Sequence, residues 1–495
     1  MDLSYILMLT LAVPVVGSLI ISQLGKTPNL REAVTLITAG LLFAVNVYLF
    51  LHQEQASIEA VFTLAEPIEG LAISFSFNTL GILFALIASG LWIATSIYAI
   101  GYMRAHKEGY QTRFFTLFAV AIAGVMAVAY SDNLFTLFIF YEFLTISTYP
   151  LVTHAGTSEA KRGGRKYILI LMGSSILFFL PAMIITWFSA GTLDFVQGGI
   201  LANNLSSTAV IPLLILFILG ISKAGVMPLH RWLPSAMVAP TPVSALLHAV
   251  AVVKAGVFSI VKVIVFIFGT DFITDTHAND WLIWLPTLTI LFASLIALTK
   301  DNLKERLAYS TVSQLSYIVL GALLANQMAI IGASMHIAMH AFAKIALFFA
   351  AGAILVTMHK KNVSELSGMG KRMPFTFAVF TIGTLSIIGL PFFGGMWSKW
   401  YLLSGALNYE GISATYWLVL SVLTISSMLN IYYLLSIPVK AFFTSPSEDE
   451  LAENDTSIKE APIACLIGMA IPTVMTLYLF FDPSVFYTLS EAISK

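Results

Sequence analysis

Charged residues and cysteine are both scarce in this sequence of 495 residues. Only 10% of the residues are charged and 58% are hydrophobic, whereas a typical soluble domain has about 25% charged residues. The single cysteine, Cys465, excludes a disulfide framework and any cysteine-ligated cluster within the chain. The formal net charge of −1 gives no indication of a nucleic-acid partner. The composition therefore predicts a membrane protein with many helices.

Nucleotide-binding and redox motifs are missing as well. The chain has no Walker A sequence and no glycine-rich dinucleotide fingerprint. We therefore expect no cofactor and no nucleotide or redox chemistry in the chain itself. Energy for any work would have to come from an ion gradient or from partner proteins. The first apolar run, Tyr5 to Ile21, lacks a basic segment and a cleavage-site pattern, so it is interpreted as a retained first span.

Long apolar runs, by contrast, are abundant. A run of about 20 apolar residues is long enough to cross a membrane, and fourteen such runs are predicted. They lie near 3–23, 32–51, 77–100, 113–130, 133–152, 166–188, 209–228, 242–268, 281–299, 307–325, 329–356, 375–406, 413–438 and 461–481. The run at 375–406 is too long for one straight crossing and contains Pro391 between glycines, which predicts a broken helix. The stretch 57–76 is predicted to form an external β-hairpin or loop.

Basic residues alternate between successive loops. The loops after odd-numbered spans hold 19 of the 25 lysines and arginines, and those after even-numbered spans hold none and carry acidic residues instead. Because positively charged loops stay in the cytoplasm, the odd loops are predicted to be cytoplasmic and both termini to lie outside. We expect a multi-pass protein of a prokaryotic cell (inner) membrane.

Five lysines and one glutamate lie inside predicted spans. A charge at the bilayer centre costs roughly 3 kcal/mol or more on insertion scales, so each such residue is a functional hypothesis. The six residues are Glu142, Lys223, Lys254, Lys262, Lys344 and Lys399. Lys262 lies in the outer half of its predicted span, where its side chain is expected to reach the membrane interface.

Glu142 and Lys223 are predicted to form a pair, because a lone buried carboxylate would either take up a proton or find a cation. A purely structural ion pair is the alternative. Opening and closing of the pair would switch Lys223 between holding and releasing its proton. Lys254 suits a proton relay, because a buried lysine can lose its proton and an arginine cannot.

Span eleven carries a polar stripe, because His336, His340 and Lys344 recur at intervals of four residues and share one helix face. Imidazole titrates near neutrality and can pass protons. A packed histidine pair and a zinc site are the alternatives, and no third zinc ligand lies nearby in the sequence. His248, six residues before Lys254, and Lys399, beyond the predicted break in span twelve, complete the candidates.

Spans seven and twelve share a lysine and a proline break, at Lys223 and Pro228 and at Pro391 and Lys399. Five spans separate the two, so that equivalent helices would cross the membrane in opposite directions. This arrangement is typical of an inverted repeat, in which sites form at discontinuous helices near the middle of the membrane.

Three segments together carry a family resemblance. They are Lys223 through Lys254, the segment KERLAYSTVSQLSY at 304–317, and HIAMHAFAK from His336 to Lys344. They resemble the antiporter-like subunits of respiratory complex I and of Mrp-type multisubunit cation/proton antiporters. The resemblance implies an all-α membrane protein of fourteen transmembrane helices, with inverted five-helix repeats at spans 4–8 and 9–13 and with helices 7 and 12 broken. It implies N-terminal helices at 1–112, a first, proton-conducting repeat at 113–268, a second repeat at 281–438, and a cytoplasmic linker and last helix at 439–495.

The resemblance also implies roles for the candidate residues. Glu142 and Lys223 would form the ion pair of the first half, and Lys254 with His248 would bridge to the second. The path of the second half would comprise His336, His340, Lys344 and Lys399. The chain would relay protons without a redox or hydrolytic site of its own, as a translocase only within a complex of other membrane subunits.

The length of the chain suits the D-like kind of Mrp protein, part of an antiporter that exchanges a monovalent cation for protons. No acidic cluster suited to Na+ occurs within the spans, so a Na+ site is expected in a partner if Na+ is exchanged. The alternatives are a proton-pumping subunit of a complex I-like or membrane-bound hydrogenase redox complex, and a subunit of a proton-coupled inorganic-carbon uptake complex. A stand-alone carrier of an organic solute is disfavoured, because no span shows a polar pocket beyond the lysine and histidine line.

Overall fold

The computed structural model describes residues 3–202, 204–246, 250–445 and 457–495. The described chain is mostly helical, as its composition predicts, because backbone polar groups surrounded by lipid must be satisfied within a helix or a closed barrel. Ten of its helical runs are long and apolar enough to cross a membrane, and three shorter apolar helices accompany them. The protein is therefore a multi-pass membrane protein.

The N-terminal part contains eight helices and a hairpin. The helices are α1 (Leu3–Gln23), α2 (Pro28–Leu51), α3 (Gln53–Glu59), α4 (Thr79–Ala105), α5 (Gln111–Ala129), α6 (Leu134–Val152), α7 (Ser158–Ser174) and α8 (Leu180–Ala190). A π-helical turn joins α7 to α8 in one continuous run. Strands β1 (Val61–Ile68) and β2 (Leu71–Ser76) pair antiparallel, which confirms the hairpin predicted at 57–76.

The middle and C-terminal parts contain the remaining fifteen described helices. Those of the middle part are α9 (Ser207–Gly220), α10 (Trp232–Ser235), α11 (Thr241–Ala245), α12 (Val252–Val263), α13 (Thr270–Asp275), α14 (Trp284–Thr299), α15 (Leu303–Leu324) and α16 (Gln327–Met358). Those of the C-terminal part are α17 (Met369–Arg372), α18 (Pro374–Ile388), α19 (Gly395–Leu407), α20 (Ser413–Asn430), α21 (Ser436–Phe443), α22 (Ile463–Phe481) and α23 (Ser484–Ser494).

The first predicted break, in span seven, is present, but it comes earlier than expected. Helix α9 ends at Gly220, and Lys223 lies in a 3-10 turn at Ser222–Ala224 rather than inside a helix. Gly225 follows with φ of 73°, a left-handed conformation that ends helices. A side chain at Gly220 would also collide with the backbone of Phe179, 2.3 Å away. The absence of a side chain at Gly220 therefore lets the end of α9 pack tightly against the π-helical turn between α7 and α8.

The next span, predicted at 242–268, contains α11 and α12, and residues 247–249 between them lie outside the described residues. Ala251, just before α12, has φ of −109° and ψ of −79°, distorted from ideal helical geometry. Apolar composition alone does not reveal this distortion. The second predicted break, in span twelve, is confirmed, because α18 ends at Ile388 before Gly389 with φ of 90°, and α19 begins at Gly395.

Helix α16 lies at the centre of the bundle. Its 32 residues pack against α15, α18, α19, α22 and α23, among others. Every residue from Ala329 to Ile354 is buried. The polar stripe of this helix therefore faces protein on all sides and has no direct exposure at the protein surface.

Several loops are shorter than the sequence predicts. Helix α7 begins at Ser158, because the hydroxyl of Thr157 accepts a hydrogen bond from the Ala160 N–H at 3.1 Å and caps the helix. The basic residues predicted for this loop, Lys161 to Lys166, therefore lie on the first turns of the helix. Hydropathy marks only the apolar part of a helix and misses its polar end.

Candidate functional site

Helix α6 supplies the immediate surroundings of Lys223. The Lys223 Nζ donates hydrogen bonds to the Tyr141 carbonyl at 2.7 Å and to Thr145 Oγ1 at 2.6 Å. It also lies 3.1 Å from the centroid of the Tyr141 ring, and the side chain is fully buried. Tyr141 and Thr145 are one turn apart, so both acceptors face the same side of α6. Neither residue is recognisable as a partner of Lys223 from the sequence, although both lie close to Glu142 along α6.

Glu142 follows Tyr141 on the same helix but does not contact Lys223. Both of its carboxylate oxygens are buried without a hydrogen-bond partner. Within the described residues, no carboxylate oxygen lies within the 4.0 Å of Lys223 Nζ that an ion pair requires. The two groups interact only electrostatically at longer range. An unpartnered buried carboxylate is costly, and such groups mark positions with a role beyond packing.

Lys254 and His340 are in direct contact between two helices. The Lys254 Nζ lies 2.7 Å from His340 Nδ1, and both side chains are buried. Lys254 comes from the start of α12 and His340 from the middle of α16. The predicted link between the eighth and eleventh spans is therefore a hydrogen bond. His248, the other predicted bridging residue, lies outside the described residues.

His336 continues this chain of contacts along α16. Its ring centroid lies 5.8 Å from that of His340 and 6.0 Å from that of Tyr317. Its Nδ1 lies 2.8 Å from Ser398 Oγ, on the helix that also carries Lys399. Its Nε2 is buried and has no hydrogen-bond partner among the described residues. The free nitrogen can accept or donate a proton, depending on the tautomer.

Lys399 is held at the second break. Its Nζ donates a hydrogen bond of 3.1 Å to the carbonyl of Ile388, the last residue of α18, and lies 5.1 Å from the Tyr317 ring. The last carbonyls of a helix lack partners within the helix and carry partial negative charge, so they stabilise an ammonium group. Lys254, His340, His336, Tyr317 and Lys399 thus form a chain of neighbouring polar groups, which we call the central row.

Lys344 lies one turn beyond His340 on the same face of α16. Its Nζ donates a hydrogen bond of 2.8 Å to Ser310 Oγ. The Tyr433 hydroxyl lies 3.2 Å from the same oxygen and also hydrogen-bonds Asn430. Lys344 therefore connects the stripe on α16 to hydroxyl groups on two other helices. The structure brings together the predicted residues of the second half and leaves Glu142 and Lys223 apart from each other.

The prediction for Lys262 is wrong. Its side chain does not reach the membrane interface, because only 1% of the residue is exposed. The Nζ donates a hydrogen bond of 2.5 Å to the carbonyl of Ser131. Ser131 from the loop after α5 and Phe195 from the loop after α8 cover this end of α12, and the hydropathy of α12 alone could not reveal that cover.

In the part of the chain that the structure describes, no group of three or more His, Cys, Asp or Glu residues is arranged to hold a metal ion. The donor set of the central row is made of ammonium, imidazole and hydroxyl groups. This set is suited to holding and passing protons.

The chain is similar to proteins of one membrane-protein family. Residues 131–426 match the family described as NADH:quinone oxidoreductase/Mrp antiporter, transmembrane region. NADH-quinone oxidoreductase subunit N of Desulforudis audaxviator is 32% identical over 355 residues, which are 71% of this chain and 69% of that protein.

Two solved structures share the fold. A chain of the membrane-bound sulfane sulfur reductase, an archaeal respiratory membrane complex, matches 99% of this chain and 97% of its own length with a TM-score of 0.84 at 25% identity. A chain of the Mrp complex from Dietzia sp. DQ12-45-1b matches 100% of this chain and 97% of its own length with a TM-score of 0.87. At 23% identity, this second likeness shows the fold alone.

Proposed function

We infer that this chain, which belongs to the NADH:quinone oxidoreductase/Mrp antiporter family, is the proton-translocating subunit of a multisubunit monovalent cation/proton antiporter of the Mrp D-like kind. Its relatives and structural neighbours are subunits of multisubunit membrane complexes, so this chain is expected to work beside other membrane subunits. Protons are the proposed cargo. If Na+ is exchanged, its site is proposed to lie in a partner subunit.

The observation that carries this proposal is the central row. Lys254, His340, His336 and Lys399 are buried or half-buried groups that can each bind and release a proton. A purely structural set of buried cations would be expected to pair with carboxylates. These four groups instead contact one another, hydroxyl groups and a helix end, which leaves their protons exchangeable.

Glu142 and Lys223 are proposed to act as the switch of the first half. Lys223 donates to two acceptors on α6, while the carboxylate of Glu142 lacks a partner. This arrangement suits the open state of a pair that closes when the ammonium turns to the carboxylate. Because Lys223 lies in a 3-10 turn rather than a helix, a local rearrangement suffices for closure.

Fourteen spans and two inverted repeats are part of the proposal. The ten long helical runs and three shorter apolar helices give thirteen spans, and the segment that contains α11 and α12 supplies one more. The repeats at 113–268 and 281–438 each contain one broken helix, between the helices at 1–112 and the linker and last helix at 439–495. The alternation of basic loops supports a cell-membrane protein with both termini outside.

The first alternative is a proton-pumping subunit of a complex I-like or membrane-bound hydrogenase redox complex. Its support is the match to a NADH-quinone oxidoreductase subunit and to a chain of a respiratory membrane complex. Identification of the co-purified subunits separates the candidates. Small membrane subunits support the antiporter, iron–sulfur or flavin proteins support the redox complex, and a large soluble zinc protein supports an inorganic-carbon uptake complex.

The test of proton translocation uses Glu142→Ala and Lys223→Ala in the assembled complex. We expect proton movement into membrane vesicles, followed with a pH-sensitive dye, to be abolished while the complex still assembles. Glu159→Ala and Lys161→Ala are matched controls, because both residues are exposed at the start of α7. Transport at the unmodified rate in Glu142→Ala or Lys223→Ala would contradict the proposal.

A further inference from the structure

Lys262 is a buried ammonium group that the central row does not include. It comes from α12, as does Lys254, and is separated from it by two helical turns. Its Nζ lies 4.3 Å from the Phe195 ring centroid and is bonded to the Ser131 carbonyl. No carboxylate within the described residues approaches this nitrogen to 4.0 Å, although Asp132 is near enough to act on it electrostatically. The burial of such a group needs a reason.

One aromatic ring separates the two lysines. Lys254, Phe258 and Lys262 recur at intervals of four residues, so their side chains lie along one side of α12. The Lys262 Nζ lies 5.4 Å from the Phe258 ring centroid. The Phe258 ring in turn packs against Phe84 of α4, with 5.2 Å between centroids. A packed ring between two ammonium groups excludes water from the space between them and acts as a barrier to protons.

A polar cavity lies beside Asp132, the residue that follows Ser131, the hydrogen-bond partner of Lys262. It has a volume of about 190 Å³, and its walls include the hairpin, Asp132 and Asp194. The Ser74 hydroxyl donates a 3.1 Å hydrogen bond to Asp132 Oδ2, so that hairpin and loop are joined at this point. The cavity is large enough for several water molecules, each of which occupies about 30 Å³ in the liquid. Asp194 is exposed, so the cavity opens to the face predicted to lie outside.

We propose that Lys262 is the outer access residue of the first half of the protein. Resting on the proposed function, this inference makes Lys262 the group through which protons pass between Lys254 and the outside water. The ammonium of Lys262 gives its proton to water in the cavity or to the Asp132 carboxylate. It regains a proton from Lys254 when the Phe258 ring moves aside. The bond to Ser131 holds the ammonium near Asp132, which lines the cavity.

The first test compares Lys262→Met and Lys262→Arg in the assembled complex. Arginine keeps the charge and the donors that hold Ser131, but it cannot release its proton. We expect both variants to reduce the initial rate of proton transport by about 100-fold or more, a loss typical of a removed proton-transfer group. Lys161→Met, on an exposed surface, is expected to transport normally. A normal rate in Lys262→Arg would show that the residue only anchors the loop and would overturn the inference.

The second test measures access from outside and does not depend on transport. The sole cysteine, Cys465, is buried and is replaced by serine to give a clean background. Lys262→Cys is expected to react with a charged, membrane-impermeant methanethiosulfonate reagent added from outside. Val263→Cys, at an equally buried neighbouring position, is expected not to react. An unreactive Lys262→Cys would mean that the cavity does not reach the residue.

The variants distinguish a failure of the Lys262 proposal from a failure of the proposed function. If Lys223→Ala abolishes transport while Lys262→Met and Lys262→Arg are both normal, the outer access residue is wrong and the proposed function stands. If all three variants transport normally, the proposed function itself is wrong.

Discussion

The two lysines at the helix breaks, Lys223 and Lys399, have different partners. Lys223 takes its acceptors from a neighbouring helix, α6, and has an unpartnered carboxylate, Glu142, close by. Lys399 takes its acceptor from the end of its own broken helix, at the carbonyl of Ile388. A carboxylate can pull an ammonium toward it, whereas a fixed carbonyl only holds it in place. On the proposed function, this difference would make Lys223 the switch of the first half and Lys399 a fixed proton-binding group of the second.

The two halves also differ in continuity. Lys254, near the end of the first half, contacts His340 of the second half, and His336 next to it approaches Lys399 through the Tyr317 ring. In the first half, the described residues give no direct hydrogen bond from Lys223 to Lys254. Proton transfer from Lys223 to Lys254 would therefore need side-chain movement or intervening water. Proton transfer from Lys254 onward can use contacts that are already formed.

The largest effect is expected from interrupting the second half. His340→Leu removes the partner of Lys254 and should lower the initial transport rate by about 100-fold or more, as expected for the loss of a proton-transfer group. His359→Leu is the matched control, since His359 is the exposed residue that ends the same helix. The assay is dye-reported proton uptake by vesicles that contain the complex. A normal rate in His340→Leu would mean that the contact chain is not the path.

A smaller effect is expected when one acceptor of Lys223 is removed. Thr145→Val deletes a hydrogen bond to a charged group, worth about 1.5–3 kcal/mol, so the transport rate should change by roughly tenfold or more. The direction expected is a decrease, because Lys223 would be biased toward Glu142 and held there. Thr148→Val, one turn away with its hydroxyl on Tyr167, is the control. Equal transport rates in Thr145→Val and Thr148→Val would argue against an equilibrium in which Lys223 moves between its acceptors on α6 and Glu142.

A single methyl group added at Gly389 can displace Lys399. Gly389 has φ of 90°, and an added Cβ would lie 2.7 Å from Lys399 Cδ. Gly389→Ala should therefore destabilise the protein by about 1–3 kcal/mol and lower transport severalfold. Gly173→Ala, at a helical position with no neighbour within 4 Å, should do neither. Thermal unfolding of the complex and the vesicle assay measure the two effects.

The smallest effect concerns two loops outside the spans. Hydrogen bonds from the Ser364 N–H and hydroxyl hold the pKa of Asp301 below its ordinary value of 3.8. A lowered pKa adds stability above the pKa of the unfolded chain, and this stability is lost as pH falls through the lower folded value. Asp301→Asn should therefore lower the midpoint of unfolding slightly at pH 7. The difference in unfolding midpoint between Asp301→Asn and the unmodified protein should disappear below about pH 4. A difference that grows in acid would contradict this assignment.

The sequence predicts much of this site because a charge within an apolar run is conspicuous. Lys223, Lys254, Lys344 and Lys399 are recognisable for that reason, and the break near Lys399 follows from Gly389 and Pro391. The partners of these lysines are less predictable. Tyr141 and Thr145 are ordinary helix residues until the fold places Lys223 against them. The distorted backbone at Ala251 and the burial of Lys262 depend on other parts of the chain, so hydropathy could not reveal them.

The most direct test of the account is the initial rate of proton transport in vesicles that contain the complex with Lys254→Met. Methionine fills a similar volume, so the complex should assemble, but it cannot carry a proton from His340 toward the first half. The account predicts that transport falls to background in this variant. Transport at the unmodified rate, with the variant assembled in normal amounts, would contradict it.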